Sequence, residues 1–179
     1  CEGLAALTPD IPVLSEESES IPYDERRRWK KFWLVDPLDG TKEFIKRTGD
    51  FTVNIALIED GEPILGVVHA PVLGVTYYAE KGAGAFKATS EGESRISVRS
   101  SDADALCIVA SKDHAGPQVA AMLEKLPGAG LTSMGSSLKF CLVAEGVADL
   151  YPRFVPTMEW DTGAAQCVVE AAGGYVGTP

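Results

Sequence analysis

The stretch that most constrains this chain is Asp36-Pro37-Leu38-Asp39-Gly40-Thr41, which stands where an apolar strand-like run, residues 32–35, gives way to a helix-like stretch, residues 42–45. Two carboxylates three residues apart at a strand end can point into one small volume, and Pro37 stiffens the turn between them. Ionised carboxylates converging in a partly dry site repel, so either one takes up a proton or a cation compensates both. With no His or Cys beside them, all-oxygen ligation selects Mg²⁺, Mn²⁺ or Ca²⁺ over zinc. Gly40 and Thr41 then present backbone N–H groups at a helix N-terminus, an arrangement suited to a phosphate. The plainer reading is a helix cap at Asp36 and an Asp-Gly turn at Asp39. The spacing by itself leaves both open.

Two further acidic sites bear on the choice. Leu14-Ser15-Glu16-Glu17-Ser18 places adjacent acids after a short strand-like segment, and Trp160-Asp161-Thr162-Gly163 places an acid at the start of a largely apolar helix. Taken singly, the first is a solvated turn and the second an N-cap.

The rest of the chain limits the class of protein. With 179 residues, 45% hydrophobic and 23% charged, it suits a packed globular domain. Its 26 acidic against 16 basic residues give a net charge of −10, which would repel duplex nucleic acid. No apolar run approaches the roughly 18 residues that span a bilayer, and no secretory signal pattern opens the chain, so it reads as a cytoplasmic protein. Cys1, Cys107, Cys141 and Cys167 are scattered without a C-x-x-C, and are expected as buried reduced thiols. His69 in a strand and His114 in a loop have no nucleophile beside them, and Trp29 and Trp33 read as packing residues.

Residues 1–99 read as a metal- and phosphate-binding sheet region, with strands expected at 32–35, 51–58, 64–69 and 75–79 and reversals at Gly61 and at residues 71–74. Residues 100–179 read as a second α/β region, with strands at 106–110, 131–134 and 149–151 and helices at 118–126, 138–145 and 162–172. The closing residues 175–179 look like a further strand, and the start at Cys1 rather than Met suggests a piece of a longer protein.

In combination these motifs are recognisable. Glu-Glu after a strand, then D-P-L-D-G-T, then W-D-T-G-A-A opening a helix that ends in A-A-G-G, resembles the magnesium-dependent, lithium-sensitive phosphatase family that includes the inositol monophosphatases. The runs Gly40-Thr41-Lys42-Glu43-Phe44-Ile45-Lys46-Arg47 and Gly135-Ser136-Ser137-Leu138-Lys139-Phe140-Cys141 look like its 3'(2'),5'-bisphosphate nucleotidase branch, the CysQ type. The resemblance implies a layered α-β-α-β-α sugar-phosphatase fold, lacking here an N-terminal helical pair and a final strand and helix. It also implies two or three Mg²⁺ ions held by Glu16, Asp36, the carbonyl of Leu38, Asp39 and Asp161, with Glu17 behind them. Glu16, Asp36 and Thr41 would be catalytic, Glu16 and the Thr41 hydroxyl orienting a water.

The substrate implied is 3'-phosphoadenosine 5'-phosphate, cleaved to AMP and phosphate, a by-product cleared during sulfate assimilation. Gly40, Thr41, Ser136, Lys139 and Arg153 are the substrate-binding candidates. Lys139 and Arg153 supply positive charge for a second phosphate, the alternative for each being a solvated surface position. Lys42, Lys46 and Arg47 contribute field only. Inositol monophosphate or fructose bisphosphate hydrolysis, a non-catalytic nucleotide- or metal-binding protein, and an inactive fragment stay open as alternatives. So do a peripheral association with the cytoplasmic face of the inner membrane and the oligomeric state.

Overall fold

The β-branched and aromatic runs form strands in the computed structural model, which describes residues 1–100, 105–111, 116–126 and 128–178. The loop expected around His114 and the final Pro179 lie outside these residues. In chain order the elements begin with α1 (Glu2–Leu7), β1 (Val13–Ser15), α2 (Tyr23–Arg26), β2 (Lys31–Asp39) and α3 (Thr41–Lys46). The meander follows as β3 (Thr52–Glu59), β4 (Glu62–Ala70), β5 (Val75–Glu80), β6 (Gly84–Thr89) and β7 (Gly92–Ile96). The second part contains β8 (Cys107–Ala110), α4 (Pro117–Glu124), β9 (Gly130–Ser133), α5 (Leu138–Ala144) and α6 (Glu159–Ala171).

Strands β1 to β7 form one seven-stranded sheet in sequence order, antiparallel except for the parallel β1–β2 pair. The β3–β4 hairpin closes through Asp60 and Gly61, both at positive φ (49° and 84°), as a two-residue Asp-Gly turn demands. Along β3, Thr52, Asn54, Ala56 and Ile58 are buried while the alternate residues are half-buried. This buried face is polar at one end and apolar further on. Helix α6 lies across it, packed on β3 and β4 through Gly66, Gly163 and Ala164, whose small size admits the helix. Helix α5 packs against α6 and on its other side against β8, which pairs in parallel with β9. The order sheet, helices, second sheet is the inner part of the layered α/β architecture. Leu14, Leu34, Ala56, Val68, Tyr77, Leu138, Cys141 and Val168 belong to one continuous core.

Several expectations change. Residues 149–151 make only a single bridge, Leu150 to Ile108, because Pro152 follows with no N–H to extend the ladder. Residues 175–178 carry no strand. Helix α6 begins at Glu159, three residues before the expected start, so Asp161 sits inside its first turn. Cys1 is exposed and Cys107 half-buried, whereas Cys141 and Cys167 are buried; all four thiols are free. Trp33 packs in the core with its indole N–H on Thr8 Oγ1 at 2.8 Å. His69 faces Thr76 Oγ1 at 2.9 Å. No helix among the described residues is long and apolar enough to cross a membrane.

Candidate active site

In a regular strand, residues 36 and 39 would project from opposite faces, because their separation is odd. The β2–β3 register removes that difficulty. Asp36 pairs with Asn54 and Asp39 with Thr52, so Pro37 and Leu38 together stand opposite Val53 alone. This bulge brings both carboxylates to one side. Asp161 reaches the same place from the first turn of α6, and one carboxylate oxygen each from Asp36, Asp39 and Asp161 lies within 4.8 Å of the others.

Each acid is held by its own donors. Asp36 is 1% exposed and its Oδ1 accepts the Leu38 N–H at 2.9 Å. Asp39 Oδ2 accepts from Ser137 N at 2.6 Å and Ser137 Oγ at 2.7 Å, and from Thr52 Oγ1 and Asn54 Nδ2 at 3.3 Å each. Asp161 Oδ2 accepts from Thr157 Oγ1 at 2.6 Å and from the Met158 N–H at 3.0 Å, which caps α6 from its third position. Glu16 is exposed and follows β1, where its N–H bonds to Val35 O at 3.2 Å and continues the parallel pairing. The register therefore sets it beside Asp36, with which it shares a hydrogen bond. Glu17 is exposed.

Burial pushes the Asp36 carboxyl from its usual 3.8 up to about 7, with the charges of Asp39 and Glu16 adding to the rise and the Leu38 N–H opposing it. A carboxyl this deeply buried is costly to ionise, and a cation beside it would offset that cost. The donor set is all oxygen, without nitrogen or sulfur, and fits a hard divalent ion such as Mg²⁺. A pH dependence follows for the metal-free protein. Because the folded state holds the Asp36 proton more tightly than the unfolded chain, stability is highest below about pH 4 for this group and is lost as pH rises to about 7. The melting temperature in EDTA is therefore expected to fall between pH 5 and pH 8 more steeply in the wild type than in Asp36→Asn. Equal slopes would show that Asp36 carries no such penalty.

Beside the acids lies a cavity of about 380 Å³, with Asp39, Thr41, Ser136, Lys139, Arg153 and Asp161 on its wall. Gly40, at φ 90°, starts α3, and a side chain there would meet Ser136 Cβ at 3.2 Å, so the two loops touch. Thr41 follows as the exposed first residue of α3. Ser136, at φ 46°, turns its carbonyl onto Lys139 Nζ at 2.6 Å.

Lys139 is not a surface residue. It is 4% exposed, its Nζ lies 5.3 Å from the centre of the Tyr151 ring, and burial lowers its pKa to about 8 against the raising influence of Asp39. Arg153 is exposed and bonds to Tyr151 Oη at 3.2 Å and Pro156 O at 3.3 Å. Asn54, which the sequence reading passed over, and Ser137, which it read only within the run 135–141, join Asp39 in the buried network. An asparagine on the buried face of an otherwise apolar strand was the available signal for the first.

The inositol monophosphatase family pattern spans residues 1–179. The chain belongs to the inositol monophosphatase family. Among the members of this family, the 3'(2'),5'-bisphosphate nucleotidase CysQ of Salmonella typhimurium is 56% identical over 175 residues, covering 98% of this chain and 70% of the relative. The corresponding protein of Escherichia coli K12 is 55% identical with the same coverage. Among solved structures of the family, CysQ from Bacteroides thetaiotaomicron superposes with a TM-score of 0.87 at 44% identity, over 96% of this chain and 70% of that one.

Proposed function

We propose that this member of the inositol monophosphatase family is a Mg²⁺-dependent phosphomonoesterase that removes the 3'-phosphate of 3'-phosphoadenosine 5'-phosphate, giving AMP and phosphate. The observation that carries the substrate assignment is the buried Lys139 on the wall of the cavity that also contains Asp39 and Asp161. A bisphosphate nucleotide brings about four negative charges, and a protein of net charge −10 needs local cations to receive it. Lys139 and Arg153, on the wall of the same cavity as Asp39 and Asp161, are the cations assigned to this role. The relatives, named 3'(2'),5'-bisphosphate nucleotidases, point to the same class of substrate.

Glu16, Asp36, the Leu38 carbonyl, Asp39 and Asp161 are assigned to hold the ions, two or three in number. Mg²⁺ held by these residues would supply a water of lowered pKa and positive charge for the phosphate and the leaving oxygen. The protein's part is orientation. Glu16 and the Thr41 hydroxyl align a water for in-line attack on phosphorus, while the Gly40 and Thr41 amides hold phosphate oxygens. The phosphorus–ribose oxygen bond breaks as the new bond to water oxygen forms, and the 3'-oxygen leaves with a proton derived from water.

Phosphate release from 3'-phosphoadenosine 5'-phosphate, inositol 1-phosphate and fructose 1,6-bisphosphate, each with Mg²⁺ and with EDTA, tests this reading. Mg²⁺-dependent release fastest on the nucleotide is the expected result, and a preference for either sugar phosphate would overturn the substrate. In the same assay Lys139→Ala is expected to raise KM for the nucleotide by roughly tenfold or more, the loss of one charge-assisted contact, with a smaller effect on inositol 1-phosphate. Equal KM values would remove Lys139 from the substrate site.

A further inference from the structure

One hydroxyl joins the acids that come from different parts of the chain. Ser137 is 2% exposed and precedes α5, and its Oγ lies 2.7 Å from Asp39 Oδ2 and 2.8 Å from the backbone carbonyl of Asp161. Asn54 Nδ2 donates to the same Oγ at 2.9 Å, and the Ser137 N–H donates to Asp39 Oδ2 at 2.6 Å. Ser137 thus touches the end of β2, the middle of the sheet at β3 and the first turn of α6. Its N–H already donates to Asp39 Oδ2, which leaves the single hydroxyl proton for the Asp161 carbonyl, so any widening of the gap between Asp39 and Asp161 breaks one of these contacts.

This geometry has a specific consequence for the metal site. Asp39 stands on the sheet, and Asp161 stands on a helix that meets the sheet mainly through apolar packing, with one weak contact further along from Cys167 Sγ to Ala79 O at 3.7 Å; such packing resists separation but does little to fix position along the surface. The Ser137 contact is made to the backbone of Asp161, so it locates the Cα from which that carboxylate projects. We propose that Ser137 is a positioning residue that sets the distance between the strand acids Asp36 and Asp39 and the helix acid Asp161, and thereby the affinity of the site for a divalent ion. The inference rests on the metal reading of the three acids.

Mn²⁺ binding to the protein without substrate, followed by electron paramagnetic resonance, separates the two ideas. Wild-type protein that binds no Mn²⁺ would overturn the metal reading and this proposal with it. If wild type binds, Ser137→Ala is expected to weaken binding by roughly ten- to a hundredfold, the range for residues that orient metal ligands, with an unchanged circular dichroism spectrum. Unchanged binding in Ser137→Ala would overturn the proposal while leaving the metal site intact. If Ser137→Ala does not fold, Ser137→Cys decides, since it fills the space with a much weaker donor. Weakened Mn²⁺ binding in that variant upholds the role, and wild-type affinity overturns it.

Discussion

Replacing Asp36 by Asn is expected to lower turnover of the bisphosphate nucleotide by roughly three orders of magnitude, because divalent-ion catalysis supplies several kcal/mol of transition-state stabilisation. The fold should survive. Asn keeps an oxygen for the Leu38 N–H that Asp36 accepts at 2.9 Å, and it occupies the same buried position in the pairing with Asn54. It also removes a carboxylate whose ionisation burial opposes. The variant should therefore melt no lower than the wild type in EDTA at pH 8 while losing its response to added Mg²⁺. Single-turnover phosphate release and thermal melting, measured side by side, check both halves. Activity within a few-fold of wild type would sink the assignment of Asp36 to the metal.

Gly66→Ala is expected to have the largest effect on stability. A Cβ at this position in β4 would stand 2.2 Å from the carbonyl oxygen of Ala164 and 2.9 Å from Cys167 Cβ. The first of these is helix backbone, which no side-chain rotation can move, so α6 itself must shift. Overpacking of this kind costs about 3 kcal/mol, which at about 3 °C per kcal/mol lowers the melting temperature by about 10 °C. Gly61→Ala is the control. It strains a positive φ of 84° but meets nothing within 4 Å, so its cost should be only about 1 kcal/mol. Because α6 carries Asp161, Gly66→Ala should also lose activity at temperatures where it remains folded. Equal melting of the two variants would mean that the sheet and helix are not in close contact at Gly66.

The strands that form the meander were legible because β2 to β5 carry runs of apolar and β-branched residues ending at turn residues. Strands β6 and β7 escaped notice for the opposite reason. In β7, Gly92, Glu93, Ser94 and Arg95 are exposed, so this strand has no buried face to impose an alternating pattern. Helices α1 and α2, with 6 and 4 residues, are too short for a helical period to show. The acids of the site could be named from local motifs, since each has a distinctive neighbour: Pro37 after Asp36, Gly40 after Asp39, Trp160 before Asp161. What holds them could not, because Asp39 and Ser137 are 98 positions apart and only the docking of α5 and α6 brings them together. The depth of Lys139 was hidden too. A lone lysine reads as a surface residue since burial penalises its charge, and here Asp39, Glu43 and Asp50 offset that penalty from remote segments.

The bulge in β2 makes the site a matter of counting as well as chemistry. Asp36 and Asp39 face the same way only because the pairing takes two residues, Pro37 and Leu38, against one on β3. A substitution at either acid removes a ligand but leaves the other where it was. Deleting Leu38 would restore a regular ladder with both carboxylates still on one face, but it would remove the N–H that Asp36 accepts and the carbonyl proposed for the ions, while every acid in the sequence remained present. A sequence of this family can therefore keep every acid and still lose a backbone contact of the site through the length of a two-residue insert. When a divergent relative is judged, the spacing from Asp36 to Asp39 carries as much information as the acids themselves.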